Sequence, residues 1–96
     1  MKKPLIILPP VLAKAATLPE AEKQDCWLEL DRLCGEFGRP HLHSGLGIRK
    51  LRRHAFECRA GLHWRLIFQD AAEGLIVVFL GTHDEVRRLL ASGKYD

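Results

Sequence analysis

The sequence is poor in cysteine and has no two cysteines at the C-x-x-C spacing. Its three cysteines, Cys26, Cys34 and Cys58, are odd in number, which argues against a disulfide framework. All three fall on apolar stripes, so we expect them to be small buried hydrophobic side chains. This use of cysteine fits a reducing compartment, and the sequence therefore predicts a cytoplasmic protein.

Long apolar runs, internal repeats and low-complexity segments are absent as well. No stretch approaches the roughly 20 apolar residues of a membrane span, so no membrane partner is expected. The N-terminal lysines and apolar run imitate a secretory signal, but Pro9-Pro10 interrupts the run, and we expect a strand over residues 4–8. The 96 residues, 47% of them apolar, predict one domain over residues 1–96.

Acidic side chains are scarce in the middle of the chain. Between Arg39 and Arg65 seven basic residues and four of the five histidines accompany a single acid, Glu57. Between Glu20 and Glu36 the balance is reversed, with six acids and two bases. A solvated charged face is the commoner explanation for such a run. Here the arginines alternate with apolar residues and histidines, which favours a polyanion, because each base near a phosphate releases counterions.

Apolar periodicity predicts two helices near the N-terminus, followed by three strands and a closing helix. Pro9-Pro10 opens a short first helix, which Leu18-Pro19 ends. A longer helix is predicted from Glu20 to about Phe37, with an apolar stripe at 3–4 spacing. Two helices joined so tightly indicate a helical hairpin laid on a sheet. The later predicted segments are strands at about 55–59, 63–69 and 75–80, and a helix over 82–90 with Thr82 or Asp84 near its cap.

The stretch "FECRAGLHWRLIF", residues 56–68, predicts a β-hairpin with one apolar and one charged face. A two-residue turn would mix the two kinds of side chain on both faces. A three-residue loop, residues 60–62, sorts them, because a one-residue slip turns every side chain over. The predicted pairs are Cys58 with Trp64 and Phe56 with Leu66. The apolar face is expected to pack on the helices and carries Phe56, Cys58, Trp64, Leu66 and Phe68.

The charged face of this hairpin is expected to stay open. It pairs Arg59 with His63, and Glu57 with Arg65, as cross-strand neighbours. One interpretation is a set of ion pairs on a solvated face, each contributing less than about 1 kcal/mol. The other is a phosphate site with titratable groups beside it. His83 favours the second interpretation, because its position just past the third strand lets it reach the same face.

The segments "GIRKLRRHAFECRAGLHWRLIF" and "GLIVVFLGTHDEVRRLL" resemble the RelE/ParE toxin superfamily of bacterial toxin–antitoxin systems. The shared pattern is a G-x-R-K-L segment, an E-x-R strand, an aromatic-Arg strand, an apolar strand and a Gly-x-His/Arg terminus. The likeness covers roughly residues 45–90, whereas the strand–helix–helix start matches in order only. "GTHDEV" is similar to the YafQ branch, and "FECR" and "GIRKL" are similar to the HigB branch.

The resemblance implies a compact α+β domain with a RelE-like, twisted, mainly antiparallel sheet of about four strands. An N-terminal helical hairpin would lie on one face, and a short helix would close the chain. The implied activity is that of a metal- and cofactor-independent, ribosome-dependent mRNA endoribonuclease that inhibits translation. The implied partners are a cognate antitoxin, the ribosome and mRNA. The oligomeric state is left open between a monomer and a weak homodimer.

The resemblance also implies which residues of this sequence are functional. Arg59, His63, Arg65 and His83 match its catalytic positions. The segment "IRKLRR" matches the basic segment that meets ribosomal RNA. The implied RNA-binding residues are Arg49, Lys50, Arg52, Arg53 and His54.

Cleavage of RNA through its own 2′-hydroxyl requires a proton acceptor, a proton donor for the leaving 5′ oxygen, and cations that hold the charge on phosphorus. Histidine exchanges protons near neutral pH, which makes His83 the best general acid or base. Arg59 and Arg65 are suited to grip the phosphate in a fixed fork. The acceptor of the 2′ proton is left open between His63 and Glu57, and Glu57 is the better candidate for orienting an arginine.

Three other functions stay open. A ParE-like gyrase inhibitor would use the same fold without nuclease chemistry, and the histidines at 63 and 83 argue against it. Arg87 keeps a non-catalytic or decayed binding module open, because many family members carry an aromatic residue in the closing helix. An adaptor that binds a protein on the open sheet face is the third.

His41-x-His43 has two residues of a type that binds metal ions. No Cys or acid lies close by in the sequence, so a solvated loop is the better interpretation.

Overall fold

The fold is that of a computed structural model, and residues 4–36 and 48–95 are described. The elements are β1 (Leu5–Ile7), α1 (Pro9–Ala15), α2 (Glu20–Glu36), β2 (Arg49–Lys50), β3 (Ala55–Ala60), β4 (Trp64–Ala71), β5 (Gly74–Thr82) and α3 (His83–Ala91). The sheet has the strand order β1-β5-β4-β3-β2, with β1 parallel to β5 and the other neighbours antiparallel. The predicted α+β fold is confirmed, with five strands where about four were expected.

The N-terminal elements follow the proline and charge pattern. Pro9 and Pro10 occupy the first turn of α1, where a missing N–H costs nothing. Glu20 and Glu22 lie in the first turn of α2, where the helix dipole favours anions. The helix is described to Glu36, and the predicted end at Phe37 and the predicted loop that carries His41 and His43 lie outside the described residues.

One face of the sheet packs on α1 and α2, as predicted. Phe56 and Phe68 stack on this face with ring centroids 5.6 Å apart. Burial of each large apolar side chain stabilises the fold by about 1.5–3 kcal/mol, so this cluster is the main source of stability. Its buried members are Val11, Ala15, Leu18, Cys26, Leu30, Leu33, Cys58, Ala60, Leu66, Phe68, Leu75, Val77 and Leu80.

The cysteines behave largely as the sequence predicts. Cys26 and Cys58 are buried in this helix-side core, and Cys34 is half-buried. Burial raises the pKa of Cys26 to about 11 and that of Cys58 to about 12. Both thiols are therefore held in the protonated, unreactive form at neutral pH.

The other face of the sheet is covered in part by α3. Val86 of this helix packs against Ala55 and Ile67, and Leu89 and Leu90 adjoin them. The predicted cap residue Thr82 is confirmed. Its Oγ1 accepts the N–H of Glu85 at 3.2 Å, and its own N–H donates to Glu85 Oε1 at 2.8 Å. The expectation of an open charged face is therefore wrong for the part that lies under α3.

The β3–β4 hairpin has a three-residue turn, but it lies one position later than predicted. Ala60 pairs with Trp64, so the turn is 61–63 rather than 60–62. Gly61 opens it with φ +69°, a left-handed conformation that favours glycine, and a Cβ there would lie 2.7 Å from Asp25 Oδ2. The predicted pairs are wrong by two residues, because Cys58 pairs with Leu66 and Phe56 with Phe68. A shift of two keeps every side chain on its predicted face.

Within the described residues, the helices are too short or too polar to cross a membrane.

Candidate functional site

Two arginines lie directly opposite each other on β3 and β4. The strand register pairs Arg59 with Arg65, so their side chains project from the same face. The predicted pairs of Arg59 with His63 and of Glu57 with Arg65 are therefore wrong. Like charges directly opposite each other repel and destabilise a sheet, and an anion held between them relieves that repulsion.

Glu57 lies beside this pair and is buried, with only 4% of its surface exposed. It is paired with Ile67 in the sheet and lies diagonally from Arg65. Its Oε1 is 3.5 Å from Arg65 Nε and 3.7 Å from Nη2 of Arg49 on the edge strand β2. One carboxylate oxygen therefore lies near two guanidinium groups, one on each side.

Arg65 is more deeply buried than Arg59 and contacts two neighbouring groups. Its side chain is 13% exposed, and Nη1 donates to the Trp64 carbonyl oxygen at 3.4 Å. Arg59 is exposed. The pair thus consists of a largely buried arginine with polar contacts beside an exposed one.

Gly81 lies opposite Arg65 on the neighbouring strand β5. A Cβ at this position would come within 2.7 Å of the Phe79 ring and 3.1 Å of Glu85 Cβ. A side chain here would therefore displace both the Phe79 ring and the first turn of α3. Arg59, Arg65 and Gly81 are aligned across three neighbouring strands. Because Gly81 has no side chain, the first turn of α3 is able to lie close to the sheet at this position.

His83 is exposed and is the first residue of α3, immediately after the cap Thr82. Since Trp64 pairs with Ala60 on one side and Thr82 on the other, the hairpin turn and the start of α3 lie at the same end of the sheet. The register therefore brings His83 to the end of the sheet at which Arg59 and Arg65 lie.

His63 is exposed in the hairpin turn rather than on β4. It lies at the same end of the sheet, but it is not a cross-strand neighbour of Arg59. Trp64, predicted to lie on the apolar face of the hairpin, is half-buried on the helix side. Its Nε1 donates to Glu22 Oε2 at 3.0 Å, and Lys14 Nζ lies 5.6 Å from its ring centroid. These contacts place Trp64 away from the arginines.

Comparison with known proteins gives structural matches only. No family model matches the chain, and no curated protein sequence matches it. The toxin RelE of E. coli, a double mutant in the free state, superposes with a TM-score of 0.71 over 98% of this chain and 97% of that one, at 16% identity. The chain has the RelE fold.

Two further solved structures share this fold. RelE in the RelE–RelB complex of the archaeon Pyrococcus horikoshii gives a TM-score of 0.69 at 18% identity, covering 85% of this chain and 96% of that one. The toxin–antitoxin complex RelBE2 of Mycobacterium tuberculosis gives 0.67 at 16% identity, covering 86% and 100%. At these identities the likeness establishes the fold.

The predicted RNA-binding segment is divided between the two faces of this RelE fold. Arg49 pairs with Glu57 and lies on the arginine side, whereas Lys50 pairs with Phe56 and lies on the helix side. The turn after β2 is closed by the N–H groups of Leu51 and Arg52, which donate to the Ala55 carbonyl at 2.9 and 3.1 Å. Arg49, Lys50, Arg53 and His54 are exposed, and Arg52 is half-buried.

The described residues contain no group of three or more side chains suited to hold a metal ion. His41 and His43 lie outside these residues. A surface depression of about 410 Å³ runs along the outer side of α3, where Asp84, Arg87 and Arg88 line it. The described residues that line this depression do not include Arg59, His63, Arg65 or His83.

Two residues of the site are weakly marked in the sequence. The sequence places Gly81 only between a predicted strand and a predicted helix, whereas the structure sets it opposite Arg65. The sequence indicates Glu57 as a proton acceptor or an orienting partner, but its pattern does not predict that the side chain is buried. It is the lone acid of a basic stretch and alternates with apolar residues, and that isolation is the signal that singles it out.

Proposed function

We propose that this protein is the toxin of a bacterial type II toxin–antitoxin pair, and that it cleaves mRNA on the ribosome without a metal ion. The observation that carries the proposal is the register that sets Arg59 directly opposite Arg65. Two arginines directly opposite each other in a sheet are costly in the free protein, and guanidinium groups are well suited to bind a phosphate. The RelE fold supports the same conclusion.

In this proposal the arginine pair holds the scissile phosphate. Arg65, which is fixed by its contacts, supplies a preorganised positive charge, and Arg59 closes from the solvent side. Together they offset the negative charge that develops on phosphorus when the 2′-oxygen attacks. The bond from phosphorus to the 5′ oxygen then breaks, leaving a 2′,3′-cyclic phosphate and a 5′-hydroxyl.

His83 is the proposed general acid that protonates the leaving 5′ oxygen. It is exposed, and it lies at the same end of the sheet as the arginines. His63, in the hairpin turn at that end, is the remaining candidate to accept the 2′ proton. The buried position of Glu57 removes it from direct contact with a ribose.

The exposed bases of the segment that includes β2 are proposed to contact ribosomal RNA. They would supply sequence-independent affinity through counterion release, which falls as salt rises. On the ribosome the mRNA is held in a defined path, and such positioning contributes much of the rate. Activity on free RNA is therefore expected to be weak. The site of action is then the cytoplasm, and a cognate antitoxin is the proposed inhibitor.

The proposal is tested by induced expression in a bacterial host, with primer extension on a reporter mRNA. Wild type should arrest growth and produce cuts within translated frames, and Arg59→Ala and His83→Ala should lose both. Arg32→Ala on α2 makes the same change in charge as Arg59→Ala and should behave as wild type. Arrest without cuts would favour the gyrase inhibitor, and the absence of arrest would favour a non-catalytic module.

A further inference from the structure

We propose that Glu57 is a positioning residue that fixes the Arg65 guanidinium for phosphate binding and ties it to Arg49 on the edge strand. The inference rests on the proposed function, because it assigns a role within the same site. Glu57 touches no substrate in this account. It acts only through the two arginines.

The geometry of the carboxylate carries the argument. The same oxygen, Glu57 Oε1, lies 3.5 Å from Arg65 Nε and 3.7 Å from Arg49 Nη2. The Glu57 carboxylate therefore lies between the two guanidinium groups, and the exposed fractions of the side chains are 65% for Arg49, 13% for Arg65 and 6% for Glu57. The contact to Nε is an ion pair without a hydrogen bond, and the Trp64 carbonyl accepts from Nη1 at 3.4 Å. The Arg65 guanidinium is therefore constrained on two sides before any ligand arrives.

Stability alone does not explain a carboxylate at this position. Its sheet partner Ile67 is fully buried, so apolar side chains at positions 57 and 65 together would pack there without losing hydration. Taking a carboxylate out of water is costly, and replacing both partners of a buried ion pair with apolar residues is often neutral or stabilising. What the carboxylate adds is a fixed orientation of Arg65, which an apolar side chain does not provide.

Because Glu57 is negatively charged, its effect on the orientation of Arg65 can be distinguished from an effect on the electrostatic attraction of RNA. It offsets part of the positive charge of Arg49, Arg59 and Arg65, so it weakens the attraction of this face for RNA. Neutralising it should leave RNA binding as tight as before or tighter. Loss of Arg65 orientation should lower turnover at the same time. A merely structural defect would weaken both quantities together.

The deciding variant is Glu57→Gln, compared with Glu73→Gln. Glu73 is exposed in the turn between β4 and β5, so this control makes the same change in charge away from the site. In a reconstituted translation system with a defined mRNA, Glu57→Gln should lower kcat by about 100-fold, because small misplacements of reacting groups cost on that order. Its KM should be unchanged or lower. Glu73→Gln should match wild type in both.

A spectroscopic readout tests the same positioning without relying on cleavage. The Nε–H resonance of Arg65, identified by its loss in Arg65→Lys, should exchange slowly with solvent in wild type. Glu57→Gln should shift it and speed its exchange, while Glu73→Gln should not. If Glu57→Gln fails to fold, Glu57→Asp keeps the charge on a shorter side chain and should show an intermediate loss of turnover with an intermediate shift of the resonance.

The outcomes separate this inference from the proposed function. Wild-type turnover by Glu57→Gln, or an unmoved Arg65 resonance, would overturn the positioning role while wild-type cleavage left the proposed function standing. A parallel loss of kcat and of binding would also overturn it, since that points to a structural defect. An inactive wild type would overturn the proposed function, and with it any positioning role in cleavage.

Discussion

The two faces of the sheet are built from the same strands but differ in what covers them. On the helix side, α1 and α2 cover a continuous apolar cluster that includes Leu66 and Phe68. On the other side, α3 covers a smaller cluster around Ile67, and the charged row of Arg59 and Arg65 lies beside it. The comparison teaches that stability is concentrated on one face, which allows the other to hold like charges in an arrangement that costs free energy.

The largest expected effect comes from the helix side. Phe68 is fully buried and stacks on Phe56, so Phe68→Ala should lower the free energy of unfolding by about 3–5 kcal/mol. Urea unfolding followed by circular dichroism measures this. Leu62→Ala is the control, because Leu62 is 89% exposed, and it should change stability by less than about 0.5 kcal/mol. A cost below about 1 kcal/mol for Phe68→Ala would contradict the assignment of stability to this face.

A smaller effect is expected at the cap of α3. Thr82→Ala removes the acceptor of the Glu85 N–H and should lower the free energy of unfolding by about 1 kcal/mol. Thr17→Ala serves as the comparison, because Thr17 Oγ1 makes only an exposed hydrogen bond to the Lys14 carbonyl. Equal decreases in the free energy of unfolding in the two variants would mean that the Thr82 cap stabilises the fold no more than the exposed Thr17 hydrogen bond does.

The same cap predicts a dependence on pH. The Thr82 backbone N–H holds the pKa of Glu85 below its usual value of 4.5. A carboxyl with a lowered folded pKa stabilises the fold above its unfolded value, and this contribution is lost as the pH falls. Urea unfolding from about pH 6 to about pH 3 should therefore depend less on pH in Glu85→Gln than in wild type. Parallel curves would exclude this source of acid sensitivity.

The smallest expected effect has the opposite sign and lies on the arginine side. Arg59→Ala relieves the repulsion with Arg65 and should raise the free energy of unfolding by about 0.2–1 kcal/mol. Arg32→Ala removes an exposed pair with Glu29 at 3.4 Å and should lower it by about 0.3–0.5 kcal/mol. Both changes are measured from the midpoints of urea unfolding curves, provided that the dependence of the free energy on urea concentration is the same in variant and wild type. A destabilising Arg59→Ala would show that this arginine supports the fold.

The faces of the β3–β4 hairpin were predictable, but its register was not. Alternation of apolar and charged residues decides which side chains share a face, and a slip of two residues leaves that pattern intact. The choice between turns 60–62 and 61–63 depends on the left-handed conformation of Gly61 and its approach to Asp25, a residue distant in sequence. For the site this slip matters, because it pairs Arg59 with Arg65 in place of His63.

Two other features depend on contacts that no local pattern carries. β2 is two exposed residues, Arg49 and Lys50, and it exists only because β3 pairs with it. The position of the Glu57 carboxylate likewise depends on the neighbouring strands, because it lies against Arg49 of β2 and Arg65 of β4. Long helices with clear stripes and caps, by contrast, were predictable because their signals are local.

Cleavage of a translated mRNA by purified protein tests the central claim, the phosphate-binding role of the arginine face, most directly. In a reconstituted translation system, primer extension should show cuts with wild type and with Arg32→Ala, and none above background with Arg59→Ala. The two variants lose the same charge from opposite sides of the sheet, so net charge cannot explain the difference. Cuts of equal strength in Arg59→Ala and Arg32→Ala would contradict the account.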